Sequence, residues 1–208
     1  MKNVLICGDS YSTFLGHIPA ENAPYYCAEG GDTDVRAVSE TWWYPLMKEI
    51  DGNLILNDSW SGSTIGFTGY EGDDFSHFSF ITRWEKLVEK GFFRENAIDT
   101  VLVFGGTNDS WSDAPLGEMQ YEGWRREDLY RVFPAICRYF KLVRDTLPEA
   151  DVLCIINCEI KEEVAEALKT VAIQNGCRFV SLHDVDKMCG HPSVKGMAAI
   201  REQVAAAF

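Results

Sequence analysis
Five short apolar runs separated by amphipathic segments constrain this chain more than anything else in it. The runs cover residues 3–7, 53–57, 100–105, 151–157 and 177–182. Each has the length and apolar content of a buried strand. Between them, residues 39–50, 79–91, 126–147, 160–175 and 194–207 carry apolar side chains at helical spacing. The third of these segments places Leu129, Val132, Phe133, Ile136, Phe140 and Val143 on one face, and Pro148 follows. Strands that alternate with helices build βαβ units, which means a parallel sheet covered on both faces. The expectation is a flavodoxin-like three-layer α/β/α sandwich with a five-stranded parallel sheet in the order 2-1-3-4-5. In 208 residues there is no repeat, linker or low-complexity tract, so one domain over residues 1–208 is expected.

The irregular segments carry the chemistry. Residues 11–38, 58–78 and 106–125 each follow a strand, so all three should crowd the carboxyl edge of the sheet, where open α/β sheets bind ligands. The first strand ends in Gly8-Asp9-Ser10. The second leads into Asn57-Asp58-Ser59-Trp60-Ser61-Gly62-Ser63-Thr64, and the third into Gly105-Gly106-Thr107-Asn108-Asp109. His191-Pro192 stands just before the last helix. Acyl transfer needs a nucleophile, a base that touches it, donors for the developing oxyanion and a group that orients the base. Ser10 can be the nucleophile and His191 the base. The N–H groups of Ser10 and Gly62 and the Asn108 amide can be the donors. Glycine at 62 would let the backbone approach a substrate, although Gly66, Gly69 and Gly72 share the same loop.

These blocks, in this order, resemble those of the SGNH/GDSL hydrolase family over most of the chain. Gly8-Asp9-Ser10 looks like its nucleophile block, Gly62 like its oxyanion glycine, Asn108 like its oxyanion amide and His191 like its catalytic histidine. The resemblance implies an esterase or O-deacylase with no metal or cofactor, acting on a small-molecule ester. One position departs from it. The family usually has an aspartate three residues before the histidine, and here that residue is Met188. Two readings stay open. Asp186 reaches His191 through a longer loop, or a backbone carbonyl orients the imidazole and leaves a Ser-His dyad.

Two other classes compete. Ser10-Tyr11-Ser12-Thr13 resembles a hydroxyl-rich phosphate loop, as in a flavodoxin-like protein that binds flavin mononucleotide. That reading leaves Asn108 and His191 idle, and Gly16 falls outside the hydroxyl cluster. A non-catalytic binding module on the same fold is the third class.

Composition narrows the partners. The formal net charge of −13 speaks against nucleic acid and anionic membrane surfaces, which require a cationic face. The residues before Gly8 are too few for a secretory apolar segment. The seven cysteines are an odd number and several lie in apolar runs, so reduced thiols in a cytoplasmic protein are expected. Cys154 and Cys158 have no second pair at zinc-site spacing. Trp60, Trp111 and Trp124 lie in the strand-end loops, where aromatic faces can meet a sugar ring or an acyl group. His183 ends the fifth strand and is a candidate lining residue. One indole of Trp42-Trp43 is expected to face inward. The oligomeric state is not legible.

Overall fold
The computed structural model describes residues 1–208 and contains the expected sheet. Its strands are β1 (Lys2–Gly8), β2 (Gly52–Ser59), β3 (Thr100–Phe104), β4 (Asp151–Ile156) and β5 (Arg178–Ser181), all parallel, in the order β2-β1-β3-β4-β5. Seven α-helices accompany them: α1 (Trp43–Glu49), α2 (Phe80–Glu89), α3 (Phe92–Glu95), α4 (Thr107–Trp111), α5 (Val132–Thr146), α6 (Glu162–Gln174) and α7 (Val194–Ala205). A two-stranded antiparallel hairpin, β6 (Lys187–Met188) and β7 (His191–Pro192), precedes α7.

Alternation along the central strands sorts their side chains into two cores. Leu5, Cys7, Val101, Val103, Val152 and Cys154 pack beneath α2, α5 and α6. Val4, Ile6, Leu102, Phe104, Leu153 and Ile155 pack against α1 and α7. Strands buried on both faces read as continuous apolar runs, which is why they stand out in the sequence. Each fully buried aliphatic or aromatic side chain contributes roughly 1.5–3 kcal/mol of transfer free energy.

Several expectations are corrected here. Trp42 and Trp43 are both fully buried, where one was expected inside. The segment 126–147 is not one helix. Residues Arg126–Tyr130 form a 3-10 turn, Arg131 is extended (φ −118°, ψ 142°), and α5 begins at Val132. Pro134 is tolerated in the first turn of α5, where its missing N–H has no partner to lose. Periodicity continued across the break because Leu129 packs into the same core as α5. The segment 39–50 is likewise a 3-10 turn at Val38–Glu40 followed by α1. No helix is long and apolar enough to cross a membrane.

Candidate active site
β1 ends where its backbone has no room for a side chain. A Cβ on Gly8 would lie 2.6 Å from the Ser12 and Ser59 side chains, so only glycine fits. Asp9 then turns the chain. Its carboxylate accepts the Tyr11 N–H at 3.0 Å and caps the 3-10 turn Ser10–Ser12. The Asn57 amide donates to the Ser12 carbonyl at 2.8 Å, and Ser59 Oγ orients that amide at 2.6 Å. Ser10 is thus held at the strand end by β1, its own turn and β2. Asp9 is fully buried, and desolvation pushes its carboxyl up to about 7. It shapes the turn and does not reach the histidine.

The hydroxyls that suggested a phosphate loop are engaged elsewhere. Ser12 and Thr13 are fully buried. Ser12 Oγ accepts the Trp42 indole N–H, while Thr13 Oγ1 donates to the Ser10 carbonyl and accepts the Tyr25 N–H.

His191 comes to Ser10 from the far end of the chain. Its Nε2 lies 3.0 Å from Ser10 Oγ. Its Nδ1 lies 3.2 Å from the Cys189 carbonyl. A carbonyl only accepts, so Nδ1 carries the proton and Nε2 is left as the base facing the hydroxyl. The β6–β7 hairpin makes this possible. Cys189 (φ 48°) and Gly190 (φ 77°) form a two-residue turn with both residues at positive φ, the pattern of a type I′ hairpin. The turn folds the Cys189 carbonyl back over the imidazole. Two tyrosines moor it. Tyr11 OH donates to the Gly190 carbonyl at 2.6 Å and Tyr26 OH to the Pro192 carbonyl at 3.1 Å. Burial holds the His191 imidazole below its ordinary value of 6.5, against the Cys189 hydrogen bond and the Asp32 charge that raise it.

The structure does not bring the Asp186 carboxylate to His191. Its carboxylate accepts the Ser193 hydroxyl, and its carbonyl accepts the Ser193 N–H at 3.1 Å. Ser193 in turn caps α7 at the Gly196 N–H. A Cβ on Gly196 would lie 2.0 Å from the Asp186 carbonyl oxygen, so the hairpin base packs directly on α7. The carboxylate is spent on that clamp, and the tight turn leaves no slack to bring it to the ring. Asp186→Asn should therefore leave the pH dependence of any esterase activity unmoved and kcat within about threefold. A displaced pH profile with a kcat loss of orders of magnitude would restore Asp186 as the third member.

The remaining blocks converge as expected. Asn108 opens α4 and is nearly buried. Its amide donates to the Ser63 carbonyl at 2.9 Å, and its Oδ1 accepts the Tyr70 hydroxyl at 2.6 Å. Tyr70 fixes which end of the amide carries the donors, and one of the two N–H groups goes to Ser63. Gly62 sits at φ 80° with open space around its Cα, so conformation demands the glycine. Its loop is tethered on both sides: Trp60 N–H donates to the Gly8 carbonyl at 3.1 Å, and Ser63 binds Asn108. Asp109 accepts the N–H groups of Ile65 and Gly66 at 2.9 and 3.0 Å, locking this loop to α4. The buried Arg83 guanidinium ties the strand ends together. It binds the Gly8, Asp58 and Phe78 carbonyls, Ser63 Oγ and the Asp58 carboxylate.

The other expected positions divide. His183 is exposed and pairs with Asp184, away from Ser10. The Trp124 indole donates to the Gln120 carbonyl and carries Arg138 on its face, so it does not border the site. Trp111 packs edge-on to Tyr11, and Trp60 stacks on Phe78. Cys154 and Cys158 belong to opposite cores. Sequence reasoning missed Tyr25, Tyr70 and Arg83, and it left open whether a carboxylate or a backbone carbonyl, here that of Cys189, meets the imidazole. Only the Cys-Gly pair before His191 carried a signal, as a short-turn motif.

Comparison with known proteins gives matches over the whole fold. A family model described as GDSL-like lipase/acylhydrolase matches residues 2–208. A crystal structure described as a GDSL-like lipase from Bacteroides ovatus shares 40% identity at a TM-score of 0.93, covering 100% of this chain and 97% of the other. One from Bacteroides uniformis, described in the same way, shares 44% identity at 0.92, covering 100% and 95%. An active-site mutant of a family two carbohydrate esterase from Clostridium thermocellum shares the fold at 15% identity and a TM-score of 0.66, covering 99% of this chain and 62% of its own. No curated protein matches the chain.

Proposed function
The chain belongs to the GDSL-like lipase/acylhydrolase family, and we propose that within this family of ester hydrolases it removes short O-acyl groups from carbohydrates through a Ser10–His191 dyad. The observation that carries the reading is the 3.0 Å contact of His191 Nε2 with Ser10 Oγ at the end of β1. Ser10 Oγ attacks the ester carbonyl and its proton passes to Nε2. The carbonyl oxygen becomes an oxyanion facing the N–H groups of Ser10 and Gly62 and the Asn108 amide. Collapse expels the alcohol, which takes the proton from His191. Water then repeats the sequence on the acyl-enzyme.

The substrate class rests on the rim. Tyr25, Tyr70 and Trp111 are partly exposed beside the catalytic turn and offer ring surface to a sugar. Two large cavities are lined by Gly117, Arg131 and Pro134 and by Ile98, Thr146 and Pro148, not by Ser10. Neither cavity offers a groove for a long acyl chain at the nucleophile, which favours a short acyl group. The shared fold with a carbohydrate esterase points the same way.

A fluorophosphonate probe should label Ser10. kcat/KM for p-nitrophenyl acetate should exceed that for the octanoate by about tenfold or more, and acetate should be released from acetylated xylo-oligosaccharides. Activity should rise with pH along a single limb with its midpoint below 6.5, because burial disfavours the imidazolium and only the neutral ring accepts the proton. Labelling at another residue would sink the mechanism. A preference for octanoate would sink the substrate class.

A further inference from the structure
We propose that Tyr25 takes over the electrostatic task left by the absent carboxylate, with its ring face stabilising the imidazolium that His191 becomes during catalysis. The proposal rests on the Ser10–His191 reading and extends it to a residue outside the family motifs. The Tyr25 and His191 rings are stacked with centroids 3.5 Å apart and planes 11° from parallel. That separation is already the contact distance of two carbon layers, so the rings lie almost directly over one another with little lateral offset.

Two neutral aromatic rings avoid this arrangement, because their negative faces repel; they prefer an offset or an edge-to-face pair. A cation over a ring face is attracted at the same distance. The geometry therefore suits the charged histidine better than the neutral one. The charged form appears only once Ser10 has given up its proton. An interaction that is stronger at that point lowers the barrier rather than merely tightening the ground state.

The surroundings leave this task open. The Nδ1 partner is a backbone carbonyl, which orients the ring but carries no full charge. The other groups facing the imidazole are Tyr11 and Tyr26 at 5.4 and 6.4 Å, the Cys189 segment, Lys187 and Asp32. Tyr11 and Tyr26 are committed through their hydroxyls to the hairpin carbonyls. Lys187 opposes a second positive charge, although its ammonium is paired with Glu159 at 2.7 Å. Asp32 is exposed on the loop, and its charge is screened by salt. Tyr25 alone lies in face-to-face contact with the ring. Its backbone N–H is anchored to Thr13 Oγ1 at 2.9 Å, in the same turn that carries Ser10.

The test compares wild type, Tyr25→Leu and Tyr25→Phe, each checked for native circular dichroism. Tyr25→Leu should lower the kcat plateau for p-nitrophenyl acetate about three- to tenfold with KM little changed. Its acid limb should move down by about half a pH unit, because the charged ring has lost a stabilising partner. Tyr25→Phe keeps the ring face and should rescue both. The imidazole resonance missing from His191→Gln should report the same downward shift by NMR titration, independently of turnover. Four results would overturn the proposal. They are an unchanged or upward limb in Tyr25→Leu, a rise in KM alone, a Tyr25→Phe variant as impaired as Tyr25→Leu, and an imidazole that titrates identically in all three. Absence of fluorophosphonate labelling at Ser10 in the wild type would overturn the dyad reading itself, and this proposal with it.

Discussion

Ser10→Ala should abolish p-nitrophenyl acetate turnover, with a loss of about 10³-fold or more, and leave the fold intact. The hydroxyl is the atom that bonds to the substrate in the proposed mechanism, and His191 has nothing to deprotonate without it. Members of such a unit fail together, so the loss should approach the whole contribution of the dyad. Stability should change little. Ser10 anchors its turn through its carbonyl, which accepts from Thr13 Oγ1 at 2.9 Å, and the Oγ contact found is the one with His191. Removing that hydroxyl leaves the Asp9 cap and the Asn57 brace in place. The measurement is kcat beside a thermal melt. A folded Ser10→Ala protein that retains most of its activity would eliminate the serine mechanism.

Asn108→Ala should lower kcat by ~10²–10³, about 3–4 kcal/mol, with little change in KM. The amide is held from both ends, by Ser63 and Tyr70, and in the proposed mechanism its other N–H meets the oxyanion. A donor aimed at the oxyanion rather than the ground-state carbonyl acts on the rate and not on affinity. The truncation also strips Tyr70 OH of its acceptor. Tyr70 is partly exposed, so water can replace that bond at small cost in stability. A rise in KM alone would make Asn108 a binding or capping residue. Tyr70→Phe offers a milder form of the same test, since it removes the hydroxyl that orients the amide and keeps the donor.

The sheet and its order were legible in the residues, and so were the segments the fold brings together: His191 meets Ser10, and Asn108 meets the loop of Gly62. Strands buried on both faces write themselves as apolar runs, and short βα connections put Ser10 and Asn108 at strand ends whatever the loops do. Gly62 and His191 stood out by position, one in the loop after β2 and the other just before the final helix, while the positive φ that demands glycine at 62 came only with the structure. The fates of Asp186 and of the imidazole were not legible. Asp186 is five residues from His191 in sequence, yet Ser193 captures it because the positive φ of Cys189 and Gly190 turns the hairpin back on itself within two residues. Tyr25 and Tyr70 lie in irregular loops with no periodicity to reveal which side chain faces which. Their roles emerge only when residues 166 and 38 positions away are folded against them. Local pattern determined which strand ends and loops would carry Ser10, Gly62, Asn108 and His191. Which groups orient and neutralise them was decided by contacts between distant segments, because hydrogen bonds and ring stacking depend on angstrom-level placement that only the packed chain supplies.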